Sequence, residues 1–360
     1  MKIAQIAPLY EAVPPKLYGG TERIVHYLTE ELVALGHEVT LFASGDSKTR
    51  ARLVAHVPKA LRLNKNCEDQ LAPHIVQLQE ILEQAEEFDV IHFHTDYIHF
   101  PFTQKLAAPH VTTLHGKLTI PELQLVYNKF PDQPVISISN QQRKPLPQAN
   151  WLGTVYHGLP ANLHKPGKGK GEYLAFLGRV SPEKGLDKAI AVAKATGIKL
   201  KIAAKIDKAD REYYEEHIKP LLDHPLIEYV GEVNEKQKTE FLGNALALLF
   251  LINWEEPFGL VLIEAMACGT PVIACKRGSV PEIIEHGRNG FVVRNEREAI
   301  KAVRQISQID RSQVRQSFEE RFTSRRMALD YMAVYQLLQK KTKRKANLVI
   351  ALEDRKLSII

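Results

Sequence analysis

The chain has 360 residues, of which 44% are hydrophobic and 25% charged, as is typical of a soluble globular protein with two domains of ordinary size. No apolar run reaches the length of a membrane span, and the start of the chain lacks the features of a signal peptide, so we expect a cytoplasmic protein. Three cysteines, an odd number without metal-type spacing, indicate a reducing compartment rather than a disulfide framework.

The formal net charge of +6 is concentrated at the end of the chain. Residues 339–360 contain seven Lys and Arg against two Asp and Glu, a surplus of five, so the rest of the chain carries only +1. A basic tail without a nucleic-acid-binding motif argues against nucleic acid as a partner. Two interpretations of the tail remain open: peripheral contact with an anionic membrane, or a solvated and partly disordered segment. Its basic run consists of Lys340, Lys341, Lys343, Arg344 and Lys345.

The first predicted elements form a β-α-β unit. A strand pattern at residues 2–7 is followed by a loop that ends in Gly19 and Gly20, then by a helix pattern up to Gly36 and a second strand pattern at residues 39–43. The unit lacks a G-x-G-x-x-G pattern, which argues against a dinucleotide-dependent dehydrogenase. The glycine pair places accessible backbone N–H groups at a helix start, where they suit a phosphate.

Histidines accompany the next two predicted strands. In the first, alternation places His92, His94 and Asp96 on one face, which superficially suggests metal ligands. Because no further ligand cluster appears in the sequence, we expect no metal site there. The second of these strand patterns ends in His115.

The composition shifts near the middle of the chain. Residues 159–171 contain two Pro and three Gly, the composition of a linker, so we place a domain boundary near residue 165. A strand pattern at residues 173–177 then leads into Gly-Arg-Val-Ser-Pro-Glu-Lys-Gly, in which Arg179 and Lys184 bracket a turn. The planar fork of Arg and the point charge of Lys suit neighbouring phosphates.

The most informative stretch lies near residue 250. The unbroken apolar run from Leu246 to Ile252 is typical of a buried parallel strand, and Pro257 suits the first turn of a following helix that Gly269 ends. A continuous helix would separate Glu256 and Glu264 by about 12 Å. Paired acids of glycoside hydrolases lie only roughly 5 to 9.5 Å apart, so these glutamates better suit the two ends of an extended ligand.

The string Glu-Pro-Phe-Gly-x4-Glu-Ala-Met-Ala-x-Gly-x-Pro-Val in this stretch resembles the Glu-x7-Glu signature of the family-four retaining glycosyltransferases. The resemblance is strongest from Tyr173 to Val292 and implies an α/β GT-B fold, in which two Rossmann-like domains face each other across a cleft. We therefore expect an acceptor domain at residues 1–165 and a nucleotide-sugar donor domain at residues 166–320. Residues 321–360 would form a helix that packs back on the first domain, followed by the basic tail.

The resemblance also implies roles for individual residues. Glu264 would accept hydrogen bonds from ribose hydroxyls, and Glu256 would hold the donor sugar. Arg179 and Lys184 would stabilise the charge on the leaving diphosphate. The expected catalytic residues are His115, Arg179, Lys184 and Glu256, and the expected donor-binding residues are Gly19, Gly20, Phe258, Gly259, Leu260 and Glu264.

By resemblance, the chain is a retaining glycosyltransferase that moves a hexose from a nucleoside diphosphate sugar, with UDP-sugars favoured, to an acceptor that the sequence does not identify. The reaction would need no metal or other cofactor, because Arg179 and Lys184 would stabilise the developing negative charge. It would need no enzymic nucleophile, because the acceptor would attack from the front face. Two alternatives remain. A sugar-nucleotide epimerase of similar fold would consume the donor without an acceptor, and a non-catalytic sugar-nucleotide binding protein would lack the cations that bind phosphate.

Overall fold

The computed structural model describes residues 1–16 and 19–357, with residues 343–357 described as helical backbone only. The chain divides into two compact units. The first unit contains residues 1–138, residues 143–156 and the chain from Ser324 onward. The second unit contains residues 139–142 and 157–323.

The first unit is built on a seven-stranded sheet. Its strands are β1 (Lys2–Ile6), β2 (Glu38–Phe42), β3 (Arg52–Val54), β4 (Val90–Phe93), β5 (His110–Thr113), β6 (Pro134–Ser137) and β7 (Asn150–Thr154). Their order is β3-β2-β1-β4-β5-β6-β7, and every neighbouring pair is parallel. Strand β4 is buried along its whole length, as expected for a strand covered on both faces.

The second unit is built on a six-stranded parallel sheet. Its strands are β8 (Tyr173–Arg179), β9 (Lys199–Lys205), β10 (Ile227–Gly231), β11 (Ala247–Phe250), β12 (Val272–Cys275) and β13 (Gly290–Val293). Their order is β10-β9-β8-β11-β12-β13. The chain therefore builds outward in opposite directions from the β8–β11 pair, and such a switch point is where ligands bind in parallel α/β sheets.

Helices connect the strands in both units. They are α1 (Gly20–Ala34), α2 (Leu71–Glu83), α3 (Phe100–Thr103), α4 (Leu123–Lys129), α5 (Asn140–Arg143), α6 (Leu186–Thr196), α7 (Arg211–Tyr213), α8 (Lys219–Leu222), α9 (Glu235–Asn244), α10 (Leu260–Ala267), α11 (Val280–Ile283), α12 (Glu296–Arg304), α13 (Arg311–Arg321) and α14 (Ser324–Leu357). Two parallel sheets with helical crossovers confirm the predicted α/β fold class.

The segment with linker composition is packed onto the second unit. Three glycine N–H groups donate to backbone carbonyls there: Gly167 to Cys268 at 2.9 Å, Gly169 to Gly243 at 3.1 Å and Gly171 to Asn244 at 2.8 Å. The whole segment belongs to the second unit, which begins at His157 on this side, whereas the composition predicts a boundary near residue 165. Glycine serves here for close backbone approach rather than for flexibility.

The last helix belongs to the first unit. Helix α14 packs against α1 and β4, with Met327, Tyr331, Tyr335 and Leu338 on its buried side. Its backbone continues through the basic run to Leu357, and the side chains of that run from residue 343 onward lie outside the described part of the chain. Within the described residues, no helix combines the length and apolar character needed to cross a bilayer.

Candidate functional site

Two loops meet at the carboxyl ends of β8 and β11. The loop after β8 runs over residues 180–185, and the loop after β11 over residues 251–259. The backbone N–H of Asn253 donates to the carbonyl oxygen of Glu183 at 2.8 Å, which joins the two loops. This bond satisfies backbone groups that regular structure does not pair, so it fixes the loops relative to each other.

Lys184 and Glu256 are brought together by these loops. Lys184 Nζ lies 2.8 Å from Glu256 Oε2, with the two side chains 20% and 11% exposed. The same ammonium lies 4.7 Å from the ring centroid of Trp254, a cation–π distance. A largely buried ammonium and carboxylate therefore stand side by side at the switch point of the sheet.

The guanidinium of Arg179 lies among three carboxylates. Its guanidinium lies 2.6 Å from Glu183 Oε1, 3.4 Å from Asp210 Oδ2 and 3.7 Å from Asp207 Oδ2. The two aspartates belong to the segment after β9, where Lys205 also pairs with Asp207 at 2.6 Å. The structure thus separates the surroundings of Arg179 from those of Lys184, although the sequence treats them as one cationic pair.

Helix α10 begins at Leu260, three residues after Pro257, so the prediction that Pro257 lies in its first turn is wrong. The preceding residue, Gly259, is left-handed with φ 82° and caps the helix without a side chain. A Cβ atom there would lie 3.2 Å from Leu262 Cδ1, so glycine suits the position for both backbone and packing reasons. The first N–H groups of this eight-residue helix point out of its start, as at helix N-termini generally.

The side chain of Phe258 is buried and forms part of the core. Its ring is 2% exposed and lies edge-on to His157, with centroids 4.9 Å apart. Its carbonyl oxygen accepts a hydrogen bond from Ser279 Oγ at 2.8 Å, and Ser279 N–H donates to the carbonyl oxygen of Glu256 at 2.9 Å. Phe258 can therefore contribute to a ligand site through its backbone, while its ring anchors the loop.

Glu264 lies on α10 and is paired with a lysine that the sequence did not single out. Lys238 Nζ, on helix α9, lies 2.8 Å from Glu264 Oε1 and 2.6 Å from Glu235 Oε1. Both Lys238 and Glu264 are largely buried. A capping box at Asn234 sets the start of α9. This pattern is visible in the sequence, and once the helix start is known, the helical repeat gives the face on which Lys238 lies.

A possible cation site overlaps this pair. One ligand atom each from His164, Glu235 and Glu264 lies within 4.8 Å of the others. The ammonium of Lys238 already bridges the two carboxylates, and His164 Nδ1 lies 2.9 Å from Thr239 Oγ1. Among the residues that the structure describes, this cluster is therefore organised around an ammonium group.

His115 lies in the first unit, just beyond the carboxyl end of β5. Its Nε2 is 2.9 Å from Nδ1 of His94. Desolvation lowers the pKa of His115 to about 3, so the ring is neutral at physiological pH. His92, which shares a face with His94 as predicted, has its two nitrogens 2.7 Å from Tyr335 and Thr113 hydroxyl oxygens. These histidines thus form hydrogen bonds to one another and to hydroxyls.

Asp96 lies at the same edge of the first sheet. Phe93 of β4 pairs with Thr112 of β5. Asp96 lies three residues after Phe93, and His115 lies three residues after Thr112. Asp96 has a φ of 50°, a backbone conformation that is uncommon outside glycine, and its side chain is exposed. An exposed carboxylate held in a strained conformation at this edge is a further candidate for ligand contact.

Gly19 and Gly20 lie at the start of α1, as predicted. Gly20 is the first helical residue and Gly19 its cap, without a side-chain hydrogen bond. The carbonyl oxygen of Gly19 accepts from Arg23 N–H at 3.2 Å. The preceding residues 17 and 18 lie outside the described part of the chain.

Two family models match this chain. The model described as Glycosyltransferase Family 4 matches residues 18–151, and the model described as Glycosyl transferases group 1 matches residues 161–325. The chain belongs to the group 1 glycosyltransferases. The family indicated by the Glu-x7-Glu string is thereby confirmed. The second matched segment contains all six strands of the second sheet, whereas the first begins after β1 and ends within β7.

Curated relatives of this glycosyltransferase family member are about 25% identical to it over the residues that align. An uncharacterized glycosyltransferase of Methanocaldococcus jannaschii is 25% identical over 224 residues, covering 58% of this chain and 62% of that protein. The D-inositol 3-phosphate glycosyltransferase of Mycobacterium marinum is 24% identical over 252 residues, covering 59% of this chain and 54% of that protein. The chain therefore spans less than two thirds of the length of these relatives.

Solved glycosyltransferase structures share the fold. AviGT4, a glycosyltransferase involved in avilamycin A biosynthesis, has a TM-score of 0.70 at 22% identity and covers 94% of this chain and 98% of its own. HepE of Anabaena, solved in complex with UDP and glucose, has a TM-score of 0.72 at 20% identity and covers 93% of this chain and 99% of its own. These likenesses confirm the predicted GT-B fold.

Proposed function

We propose that this protein is a retaining glycosyltransferase that transfers a hexose from a nucleoside diphosphate sugar to an acceptor. The observation that carries the proposal is the ion pair of Lys184 and Glu256 at the switch point of the second sheet, beside the start of α10. An ammonium, a carboxylate and a helix N-terminus together match a ligand that has an anionic group next to a polyhydroxylated one.

The second unit supplies groups for each part of such a donor. The N–H groups at Gly259 and Leu260, with the Lys184 ammonium, would bind the diphosphate. Glu256 would accept hydrogen bonds from sugar hydroxyls, and Glu264, held by Lys238, would accept them from the ribose. Arg179 would provide a second positive charge beside the diphosphate. To do so, its guanidinium must exchange a carboxylate partner for a phosphate oxygen.

The proposed reaction breaks the bond between the anomeric carbon and the diphosphate oxygen. Negative charge then develops on the leaving phosphate, where Lys184 stabilises it electrostatically. The acceptor hydroxyl attacks from the same face and passes its proton to that phosphate oxygen, which retains the anomeric configuration. This route needs neither an enzymic nucleophile nor a metal, and the first unit would contribute Gly19, Gly20 and His115.

UDP is the nucleotide that we favour. The Anabaena protein HepE, which shares the fold over nearly its whole length, was solved with UDP and with UDP-glucose. The acceptor in this proposal is a molecule with a free hydroxyl group.

A thermal-shift panel tests the proposal directly. Wild-type protein is heated with UDP, GDP, ADP and their common sugar conjugates, and we expect stabilisation by the UDP series. A ligand at a hundred times its dissociation constant adds about 2.7 kcal/mol to the free energy of unfolding. The Glu264→Ala variant, which lacks the ribose contact, should lose the shift. The absence of any shift at millimolar nucleotide would contradict the proposal.

Product analysis then tests the reaction itself. With a donor identified, NMR of the product made on an added acceptor should show the anomeric configuration of the donor, and chelator should leave the rate unchanged. An inverted product or a rate lost with chelator would contradict the proposed mechanism. Conversion of the donor to an epimeric sugar nucleotide without any acceptor would instead identify an epimerase.

A further inference from the structure

A chain of hydrogen bonds begins at His115 and runs into the first unit. His115 Nε2 lies 2.9 Å from His94 Nδ1, and His94 Nε2 lies 2.8 Å from Gln5 Oε1. The other end of the Gln5 amide continues the chain, because its Nε2 donates to the hydroxyl of Tyr335 at 3.0 Å. Gln5 and Tyr335 are fully buried, and His94 is 2% exposed.

From Tyr335 the chain of hydrogen bonds continues along the buried side of α14. The Tyr335 hydroxyl lies 2.7 Å from His92 Nδ1, and His92 Nε2 lies 2.7 Å from Thr113 Oγ1. Thr113 Oγ1 lies 2.8 Å from the hydroxyl of Tyr331, one helical turn before Tyr335. These four residues are fully buried, so water does not compete for their hydrogen bonds.

The Gln5 amide gives the whole chain one direction of donation. Its Nε2 can only donate, so the Tyr335 hydroxyl accepts there and donates its own hydrogen to His92 Nδ1. Its Oε1 can only accept, so His94 donates from Nε2 and keeps a lone pair on Nδ1. His115 must then donate from Nε2 to His94.

Neutral rings are a requirement of this arrangement. A protonated imidazole has two donors and no acceptor, so it would interrupt the chain of hydrogen bonds at that residue. Burial holds the pKa of His92 well below its usual range and lowers the pKa of His115 to about 3. His92 and His115 therefore each keep one donor and one acceptor nitrogen across the physiological pH range.

We infer that Tyr335, acting through Gln5 and His94, is a positioning residue that fixes His115 in the neutral tautomer protonated on Nε2. The Nδ1 atom of His115 is then its hydrogen-bond acceptor, which suits a hydroxyl group and is unsuited to a phosphate or carboxylate. The use of that atom toward a sugar hydroxyl rests on the proposed function. The tautomer itself follows from the hydrogen bonds alone and is tested without substrate.

Nitrogen NMR of protein labelled with ¹⁵N in histidine tests the tautomer. We expect His115, His94 and His92 each to give a single neutral Nε2–H pattern, with the His115 signals assigned from a His115→Gln variant. The Tyr335→Phe variant removes the hydroxyl that joins Gln5 to His92, so its His115 signals should shift toward a mixture of tautomers. Tyr127→Phe is the matched control, because Tyr127 is a buried tyrosine of the same unit that is not part of this chain of hydrogen bonds.

Two NMR outcomes would overturn the inference. The first is a His115 ring protonated on Nδ1 in the wild type, which would mean that every bond of the chain runs the other way. The second is an unchanged His115 spectrum in a folded Tyr335→Phe variant. Neither result depends on nucleotide binding, so the inference and the proposed function can fail separately.

Kinetics add a second readout once a donor is known. With UDP-glucose as the probe, we expect Tyr335→Phe to lower kcat for UDP release about tenfold, comparable to the smallest effects of removing a hydrogen-bond partner of a metal-bound histidine. KM for the donor should change less, because the groups that bind the diphosphate lie in the second unit. A kcat equal to that of Tyr127→Phe would contradict a positioning role.

Discussion

At the scale of single residues, the second unit holds each glutamate of the Glu-x7-Glu string with a lysine. Lys184 pairs with Glu256, and Lys238 pairs with Glu264, both at 2.8 Å. A carboxylate that is largely buried stays ionised only when such a partner offsets its desolvation. Each lysine therefore offsets the desolvation of the glutamate beside it.

Replacement of Lys238 tests the second of these pairs. Lys238→Met keeps most of the side-chain volume but leaves Glu264 without its ammonium, and breaking a buried ion pair costs about 3 to 5 kcal/mol. We expect a lower free energy of unfolding in urea and weaker binding of UDP, with binding of inorganic pyrophosphate nearly unchanged because pyrophosphate has no ribose. Lys236→Met, at an exposed position of the same helix, is the control. Equal losses for UDP and pyrophosphate would contradict a role at the ribose.

Lys184 and Arg179 should differ in their contribution to UDP binding. The charge of Arg179 is matched by Glu183, Asp207 and Asp210, whereas Lys184 has its ion pair with Glu256. We expect Lys184→Ala to lose about 1.5 to 3 kcal/mol of UDP binding, the range for hydrogen bonds to charged groups, and Arg179→Ala to lose less.

Isothermal titration with UDP measures this difference. Lys301→Ala, an exposed lysine on α12, removes one positive charge of the second unit and serves as the control for net charge. A larger loss in Arg179→Ala than in Lys184→Ala would show that the carboxylates around Arg179 give way when the nucleotide binds.

At the scale of elements, the loop that carries Lys184 depends on Gly185. This residue is left-handed with φ 67°, and a Cβ atom there would lie 2.1 Å from the carbonyl oxygen of Leu251. Gly197, at the end of α6, is also left-handed with φ 69°, but a Cβ atom there would meet nothing within 4 Å. The two glycines share backbone strain and differ in the space around them.

Alanine at each position separates strain from steric overlap. Gly197→Ala should lower the free energy of unfolding by about 1 to 2 kcal/mol, the cost of the left-handed conformation alone. Gly185→Ala should lose more and should also lose the thermal shift given by UDP, because the loops after β8 and β11 must move apart. Equal stabilities of the two variants would contradict the close contact with Leu251.

At the scale of the whole molecule, buried histidines make stability depend on pH. His92 and His99 are fully buried, and burial holds the pKa of each well below the usual 6.5. As pH falls below about 6.5, the unfolded chain binds protons that the folded first unit does not bind, so the folded state loses stability. Each such histidine contributes a slope of up to about 1.4 kcal/mol per pH unit.

Urea unfolding between about pH 7.5 and 5.5 measures this slope. We expect the free energy of unfolding to fall as the pH is lowered, with a shallower slope in His99→Gln, which removes one group that titrates in the unfolded chain. A slope that His99→Gln leaves unchanged would contradict the assignment.

Local sequence was enough to predict the parallel α/β architecture. Apolar runs of strand length alternate with helical stripes, and the glycines at helix starts and ends carry their own backbone preference. The two ends of α10 show the limit of this reasoning. Gly269 follows its last turn as predicted, but the helix begins at Leu260 and not at Pro257. A proline permits the first turn of a helix but does not require it.

The sequence by itself determined the family, the fold class and the positions of Glu256, Glu264 and Lys184, because those depend on residues close together in the chain. Tertiary structure alone decided what each of them touches. Lys238 meets Glu264 across 26 residues, and Tyr335 meets Gln5 across 330. Periodicity reports the face on which a side chain lies, whereas its partner is set by the packing of distant elements, which no local pattern encodes.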